Sequence, residues 1–290
     1  MESSKLAFSW VSSWEEFKDW EISIDLAKRR SYEAELIKEY LSSERPFLFL
    51  KGECSFCARK SNFLLDDFFG QGNLGELDFA PNWRERLICS RCNLNNRLRM
   101  VYSFLSEFSK VDRIWLTEVN TSFYRALSTR FNQIMGSEFL GSDLAPGTYN
   151  EKGVRHEDLT NNSFEDSTFD CVVTLDVLEH VEIINRAFSE LHRVLKIGGK
   201  LVATFPFDRD NPRNFERARR NDDGSMTFFA PPEFHGDPAS KQPILCFRHF
   251  GWQILQDLKD IGFSDARIGL TWSESLVNVG PEQVLLVATK

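Results

Sequence analysis

The chain has 290 residues, 42% hydrophobic and 27% charged, with 26 Phe and 7 Trp to fill a core. A net charge of −8 argues against a long nucleic acid as partner, because such binding needs a basic surface to displace counterions; Arg84 to Arg99 is the densest basic stretch. No apolar run nears the roughly 20 residues of a membrane span, and Met1 to Trp14 lacks the basic-then-apolar layout of a secretory signal, so a cytoplasmic protein is expected.

In chain order, residues 1–46 read as a charged helical segment. Leu36, Ile37, Tyr40 and Leu41 fall on one stripe, and Arg45-Pro46 ends it, since a proline restricts the residue before it. Residues 47–100 hold two Cys-x-x-Cys pairs around a loop containing Gly70, Gly72 and Gly75, a composition that suits a small metal-supported module. From Val111 the pattern becomes strand, helix, strand. Arg113–Thr117 is a short apolar run, and Phe123, Leu127 and Phe131 recur at helical spacing. Phe169–Leu175 reads as a buried strand. Ile183, Ala187, Leu191 and Leu195 form a helical face with Gly198-Gly199 as its stop, and Lys200–Phe205 is the next strand. Phe250–Gly262 is an amphipathic helix, followed by strands at Ala266–Leu270 and Val284–Ala288. Such alternation over residues 101–290 predicts a doubly wound α/β domain with a mostly parallel sheet.

Six cysteines in a reducing compartment point to metal before disulfide. Cys54 and Cys57, with Cys89 and Cys92, offer two thiolate pairs that complete a tetrahedral Zn²⁺ shell. The 31 residues between the pairs exceed the usual zinc-ribbon spacing, and four free or redox-active thiols are the other reading. A closed four-sulfur shell leaves no open position, which makes such a zinc structural. Cys171 and Cys246 lie in apolar segments and read as core thiols.

Ligands of a doubly wound sheet bind beyond the carboxyl ends of the strands, at the switch point. Glu118 follows the first strand and Glu138 the second, 20 residues later, where a carboxylate accepts both hydroxyls of a ribose. Asp158 follows the expected third strand, in reach of a base amino group. The loop after the first strand, Glu118-Val-Asn-Thr-Ser-Phe123, has no glycine; Asn120, Thr121 and Ser122 are turn formers with hydrogen-bonding side chains. Solvated loop ends are the other reading of these acids.

Phe164–Phe207, with its Asp176-Val-Leu-Glu-His180 centre and its Arg193-Val-Leu-Lys-x-Gly-Gly199 end, resembles the S-adenosylmethionine-dependent methyltransferases of the seven-stranded, Rossmann-like class. The resemblance covers roughly Val111 to Lys290. The whole chain is similar to a bacterial subgroup carrying Cys-x-x-Cys and Cys-x-x-Cys-x-Leu-Asn-x-Arg segments (Cys89 to Arg97), a Gly136–Gly141 second loop and a Pro231–Pro238 loop. Members of that subgroup often sit among genes for surface polysaccharide synthesis, which implies a sugar or glycan acceptor by association. The resemblance implies that Thr117, Glu118 and Asn120 line the methionine end of the cofactor. By the same resemblance Glu138 and Phe139 hold the ribose and flank the adenine, Asp158 and Leu159 hold the base, and Asp176 faces the sulfonium.

Methyl transfer to an oxygen needs alignment and a proton acceptor. His235 is the first candidate base, in the Pro231–Pro238 loop between Glu233 and Asp237, with His180 and His249 next. His156 and His192 receive no role. Arg209, Arg213, Arg217, Arg219 and Arg220 form a basic cluster suited to a phosphate or carboxylate on the acceptor, or else a solvated charged helix. Two further functions stay open: an RNA or protein methyltransferase with the zinc module as reader, and a non-catalytic binding protein of the same fold.

Overall fold

The structure, a computed structural model, describes residues 5–43, 45, 47–72, 79–108, 113–236 and 242–290; Met1, Pro46, Gly75, Val111, Asp237 and Pro238, named above, lie outside them. Two compact units divide the chain. The first comprises Met1–Val11, Glu15–Ser109 and Gly269–Leu285, the second Ser12–Trp14, Lys110–Ile268 and Leu286–Lys290.

The first unit opens with β1 (Ser9–Val11), α1 (Trp14–Ser23) and α2 (Leu26–Ser42). α2 starts where the Asp25 carboxylate accepts the Lys28 N–H at 3.0 Å, satisfying a donor that the first helical turn leaves orphaned. Of its apolar stripe Tyr40 is buried, while Leu36, Ile37 and Leu41 are half-buried. A hairpin follows, β2 (Phe47–Cys54) against β3 (Arg59–Asp66), with β4 (Ile88–Cys89) added on the far side of β3. α3 (Asn96–Leu105) is capped by Asn95, whose side chain accepts the Leu98 N–H at 2.9 Å.

α3 buries an arginine completely. Arg99 donates to the carbonyls of Leu276 and Val277, each at 2.8 Å, and of Leu87 at 3.2 Å, and its guanidinium lies 4.4 Å from the centre of the Phe63 ring. Burial lowers its pKa and the four nearby cysteines of the two pairs oppose that shift. Asn96, also buried, donates to the carbonyls of Trp83 and Val279 at 3.1 Å each. Two adjacent polar residues of one helix thus satisfy backbone acceptors in the segment 276–279, which is distant in sequence.

The second unit runs β5 (Ile114–Leu116), α4 (Ser122–Ser128), β6 (Ile134–Gly136), β7 (Phe169–Leu175), a 3-10 turn (Leu178–His180), α5 (Ile184–Val194) and β8 (Leu195–Thr204). Short ribbons fill residues 215–249: β9 (Phe215–Glu216), β10 (Ala218–Arg220), β11 (Met226–Phe228), β12 (Phe234–Gly236), β13 (Pro243–Leu245) and β14 (Arg248–His249). They pair antiparallel as β10 with β11, β12 with β13 and β14 with β9. α6 (Gln253–Ile261), β15 (Asp265–Ser273) and β16 (Asn278–Thr289) complete the chain order.

The main sheet has seven strands in the order β1-β15-β16-β8-β7-β5-β6. β6, β5, β7 and β8 are parallel, and β16 runs antiparallel to β8. This is the doubly wound, Rossmann-like α/β fold expected, with the strand order reversing at β5. β5 and β7 explain the arrangement: Ile114, Trp115, Leu116, Val172 and Val173 are all fully buried, as strands covered on both faces must be.

The seven strands are not the seven that the sequence suggests. The third strand, expected before Asp158, is reduced to one parallel bridge between Glu138 and His156, and β1 supplies a strand at the opposite edge. α5 ends at Val194, four residues before the expected glycine stop. Buried Leu195 already belongs to β8, and Gly198, with φ of +78°, makes a bend whose N–H reaches the Lys290 carbonyl at 2.9 Å. Ile183 precedes the helix and is exposed, whereas Ala187 and Leu191 are buried as the pattern implies. Among the described residues, no helix is long and apolar enough to cross a membrane.

Candidate active site and metal centre

The loop after β5 is built without glycine because other groups hold it. Thr121 caps α4, its hydroxyl accepting the Tyr124 N–H at 3.1 Å while donating to Glu118 Oε1 at 2.7 Å. Glu138, two residues past β6, accepts the backbone N–H groups of Val119 at 2.8 Å and Asn120 at 2.9 Å on the same carboxylate oxygen. The glycine that permits this approach lies on the neighbouring strand. A Cβ at Gly136 would sit 2.3 Å from Val119 Cγ2, 2.5 Å from Tyr124 Cε2 and 3.0 Å from the Glu118 carbonyl oxygen. Close backbone approach, usually the work of loop glycines, is supplied here by β6.

The other expected cofactor residues occupy the same carboxyl edge. Thr117 is 8% exposed, and its buried hydroxyl has no hydrogen-bond partner among the described residues. Phe139 is 57% exposed and lies 5.5 Å, ring to ring, from His156, a flat apolar face open to stacking. His156 itself is buried and accepts the Leu140 N–H on Nδ1 at 3.0 Å, so it braces the loop after β6. Asp158 accepts the Thr160 N–H at 2.7 Å and its hydroxyl at 2.8 Å in a local turn, with Leu159 buried beside it. Asp176 directly follows β7 in the left-handed region, φ +55°, and accepts the Thr204 hydroxyl at 3.1 Å. A non-glycine residue held at positive φ at a strand end stores strain of the kind that accumulates at functional sites. These residues fit a nucleoside-bearing cofactor in their donors, acceptors and apolar faces.

The three histidines converge on two glutamates, of which the sequence placed only Glu233 beside His235. Glu179, inside the 3-10 turn after β7, is fully buried, and neither carboxylate oxygen has a hydrogen-bond partner among the described residues. Its Oε1 lies 3.8 Å from His180 Nε2 and 3.7 Å from His235 Nδ1. His180 Nδ1 is 2.8 Å from the Leu245 carbonyl; a carbonyl only accepts, so Nδ1 is the donor and the lone pair of the ring's neutral form lies on Nε2. Glu233 lies 2.9 Å from His235 Nε2, 3.1 Å from His249 Nε2 and 3.2 Å from the Arg217 guanidinium. The Glu179 carboxylate, and after it Glu233, raise the His235 pKa to about 9 against the opposing effect of burial. The only earlier hint of Glu179 was its place beside His180 in the Val-Leu-Glu-His run.

Of the arginine cluster, Arg219 and Arg220 lie on β10, Arg217 lies between β9 and β10, and Arg209 and Arg213 lie in the preceding turns, so none is on a helix. Arg217, Arg219 and Arg220 pair with Glu233, Glu216 and Glu182 respectively. Their charge is therefore largely met within the fold. Cys171 and Cys246 are buried as expected for core thiols, and burial pushes Cys246 up to about 11.

In the first unit, the four expected metal cysteines come together. Their sulfurs all lie within 4.8 Å of one another, with Cys54–Cys92 at 3.7 Å and Cys57–Cys89 at 4.0 Å. Four sulfurs around one zinc with bonds of ~2.3 Å lie ~3.8 Å apart at the corners of a tetrahedron, so the cluster fits the ion. Each pair sits on its own turn, and the two turns have the same form. Ala58 and Asn93, each following a second cysteine, have φ of +51° and +60° and return their N–H groups to the Cys54 and Cys89 carbonyls at 2.8 and 2.9 Å. Ser61 Oγ lies 3.1 Å from Cys89 Sγ, and the Cys57 N–H reaches Cys54 Sγ at 3.5 Å, contacts that favour thiolate. Four thiols this close do not all ionise unless a cation joins them: the Cys54 and Cys92 thiols hold Cys89 low, while burial pushes Cys57 up to about 12.

With the geometry in hand, comparison with known proteins is direct. Residues 120–203, from the loop after β5 into β8, match the family model described as a methyltransferase domain. Over those residues the chain is similar to a methyltransferase domain. The enzyme class expected from the sequence stands on that match. Solved structures similar to the chain include an S-adenosylmethionine-dependent methyltransferase from Mesorhizobium loti, at 15% identity and TM-score 0.39, covering 67% of this chain and 98% of that one. A methyltransferase from Methanosarcina mazei is similar at 18% identity and TM-score 0.36, covering 64% and 96%. A glycopeptide N-methyltransferase complexed with S-adenosylhomocysteine is similar at 15% identity and TM-score 0.42, covering 66% and 86%. At such scores these likenesses add no argument about the methyltransferase domain's substrate. No curated protein matches the chain.

Proposed function

We propose that the methyltransferase domain transfers a methyl group from S-adenosylmethionine to an oxygen of a sugar or glycan acceptor. The reading rests on one observation: the matched segment, residues 120–203, contains Glu138 and Asp176 just past β6 and β7, and Asp158 just past the Glu138–His156 bridge, on the edge where a doubly wound sheet binds its ligand. When bound, S-adenosylmethionine supplies an electrophilic methyl on a sulfonium. Glu138 holds the ribose hydroxyls, Phe139 and Leu159 flank the adenine, and Asp158 accepts from its amino group. Thr117, Glu118 and Asn120 orient the methionine end, and the Asp176 carboxylate faces the sulfonium charge. The acceptor lies along the His180, His235 and His249 edge, where a hydroxyl meets imidazole and carboxylate groups. The glycan class follows from the resemblance to the polysaccharide-associated subgroup. Cys54, Cys57, Cys89 and Cys92 hold a structural Zn²⁺, closed to substrate by its four sulfurs.

Calorimetric titration of the full chain with S-adenosylmethionine and S-adenosylhomocysteine tests the cofactor. Micromolar binding of both is the expected result, and no heat at millimolar concentration would sink the enzyme reading. Transfer of a radiolabelled methyl to a panel of sugar nucleotides and lipid-linked oligosaccharides then tests the acceptor, with RNA and protein as the competing classes.

A further inference from the structure

Glu179 is the anomaly from which the inference starts. A carboxylate with no exposed surface and, among the described residues, no hydrogen-bond partner is costly unless a cation or a proton meets it. Two imidazoles face it, His180 Nε2 at 3.8 Å and His235 Nδ1 at 3.7 Å. The three ligand atoms all lie within 4.8 Å of one another. Ligands with bonds of ~2.1 Å stand at most ~4.2 Å apart across one ion, so a contraction of a few tenths of an ångström brings the three onto a shared cation.

The outer contacts are those a metal site requires. A ligating histidine gives its second ring nitrogen to a carbonyl or carboxylate, which fixes the tautomer and aims the lone pair. His180 gives Nδ1–H to the Leu245 carbonyl at 2.8 Å, and His235 gives Nε2–H to Glu233 at 2.9 Å. Glu233 is anchored in turn by His249 and Arg217. The backbone is fixed as well: the Phe247 N–H reaches the Glu179 carbonyl at 2.8 Å, and Arg248 donates to the Val181 and Glu182 carbonyls at 2.6 and 2.8 Å. Hydrogen bonding alone leaves Glu179 unexplained, since both imidazoles stand beyond hydrogen-bond distance from it.

We propose that Glu179, His180 and His235 form a binding site for a divalent first-row transition cation, with Glu233 orienting His235. Two imidazoles and one carboxylate on one ion leave positions open for oxygen donors, unlike the closed cysteine cluster. The 3-10 turn that carries two of the ligands follows β7 by two residues, at the sheet edge where the cofactor residues stand. Resting on the methyl-transfer reading above, the site assigns the cation to the acceptor: a hydroxyl-bearing molecule that binds through oxygen, which the open positions take.

The test uses the full chain with its cysteine site already loaded with zinc. Mn²⁺ is titrated in, and free and bound ion are followed by electron paramagnetic resonance. One saturable Mn²⁺ per chain is expected, with nitrogen modulation in its electron spin echo from directly bound imidazole. His180→Ala and His235→Ala should abolish that signal, and Glu233→Gln should weaken binding by about 10–100-fold. Zinc content and circular dichroism report whether each variant folds. If the histidine variants do not fold, the wild-type nitrogen signal decides alone. No saturable binding at millimolar Mn²⁺, or bound ion without nitrogen modulation, overturns the proposal, as does unchanged binding in folded histidine variants. The same sample is titrated with S-adenosylmethionine: cofactor binding without Mn²⁺ binding removes the site and keeps the enzyme, and the reverse result removes the enzyme and keeps the site.

Discussion

Replacing Gly136 with alanine adds one methyl group where the structure has no room for it. The new Cβ would meet Val119 Cγ2 at 2.3 Å, Tyr124 Cε2 at 2.5 Å and the Glu118 carbonyl at 3.0 Å. The two side chains turn aside with difficulty, because Tyr124 sits in the first turn of α4 and Val119 lies in the loop whose N–H groups Glu138 holds. Overpacking of this kind costs about 1–3 kcal/mol. At ~2–4 °C per kcal/mol for a domain of this size, Tm should fall by roughly 2–12 °C. A second loss falls on the cofactor. Pushing the loop away from β6 stretches two hydrogen bonds to a carboxylate, and losing one such bond is worth ~1.5–3 kcal/mol, or about 10–150-fold in affinity. Thermal unfolding and calorimetric titration with S-adenosylhomocysteine measure the two effects. Gly236→Ala is the control, since among the described residues nothing lies within 4 Å of a Cβ there. A Gly136→Ala chain with the Tm and cofactor affinity of the wild type would refute the claim that β6 supplies the missing loop glycine.

Glu138→Ala removes the acceptor of both loop N–H groups together with the ribose-binding carboxylate; cofactor affinity should drop by about 100-fold or more, and a drop under threefold contradicts the assignment. Cys92→Ser should bring zinc, measured by elemental analysis, well below one per chain and lower Tm, as should a strong chelator applied to the wild type. Full zinc retention in that variant excludes the four-sulfur shell. Arg99→Met strands the carbonyls of Leu87, Leu276 and Val277 in a buried place, so urea unfolding should show a loss of about 3–5 kcal/mol; a loss below ~1 kcal/mol would mean that water replaces the guanidinium.

Much of the second unit was legible because its strands are short and apolar and its helices keep a 3.6-residue period. Val172 and Val173 read as buried strand, and Ala187 and Leu191 as one helical face, because burial and spacing are local properties. The cysteine quartet was equally plain, since each Cys-x-x-Cys pair occupies a single turn. What stayed hidden depends on neighbours distant in sequence. Nothing local says that Gly136 serves the loop after β5, or that Glu233 and Glu179 meet the same histidine, His235, from two separate segments. The third strand illustrates the same limit: its residues resemble a strand beside His156, but only one bridge forms, at Glu138. His235 was the first candidate base on loop chemistry alone. Two carboxylates, one on each side of its ring, change its proton affinity, and that geometry appears only in three dimensions.

The buried arginine of α3 bears on how the chain is made. Arg99 and its acceptor at Leu276 are 177 residues apart. At a ribosomal rate of ~5–20 residues per second, roughly 10–35 seconds separate the emergence of the guanidinium from that of the carbonyls that satisfy it. All four cysteines emerge before Arg99 does, so during that interval the nascent chain presents a complete set of thiols beside a cation without its final partners. Metal capture on the ribosome would give the early segment an anionic cluster to set against Arg99 until the late hairpin closes over it. With zinc on the four cysteines, the order of synthesis would place metal capture ahead of the C-terminal segment in the folding of the first unit.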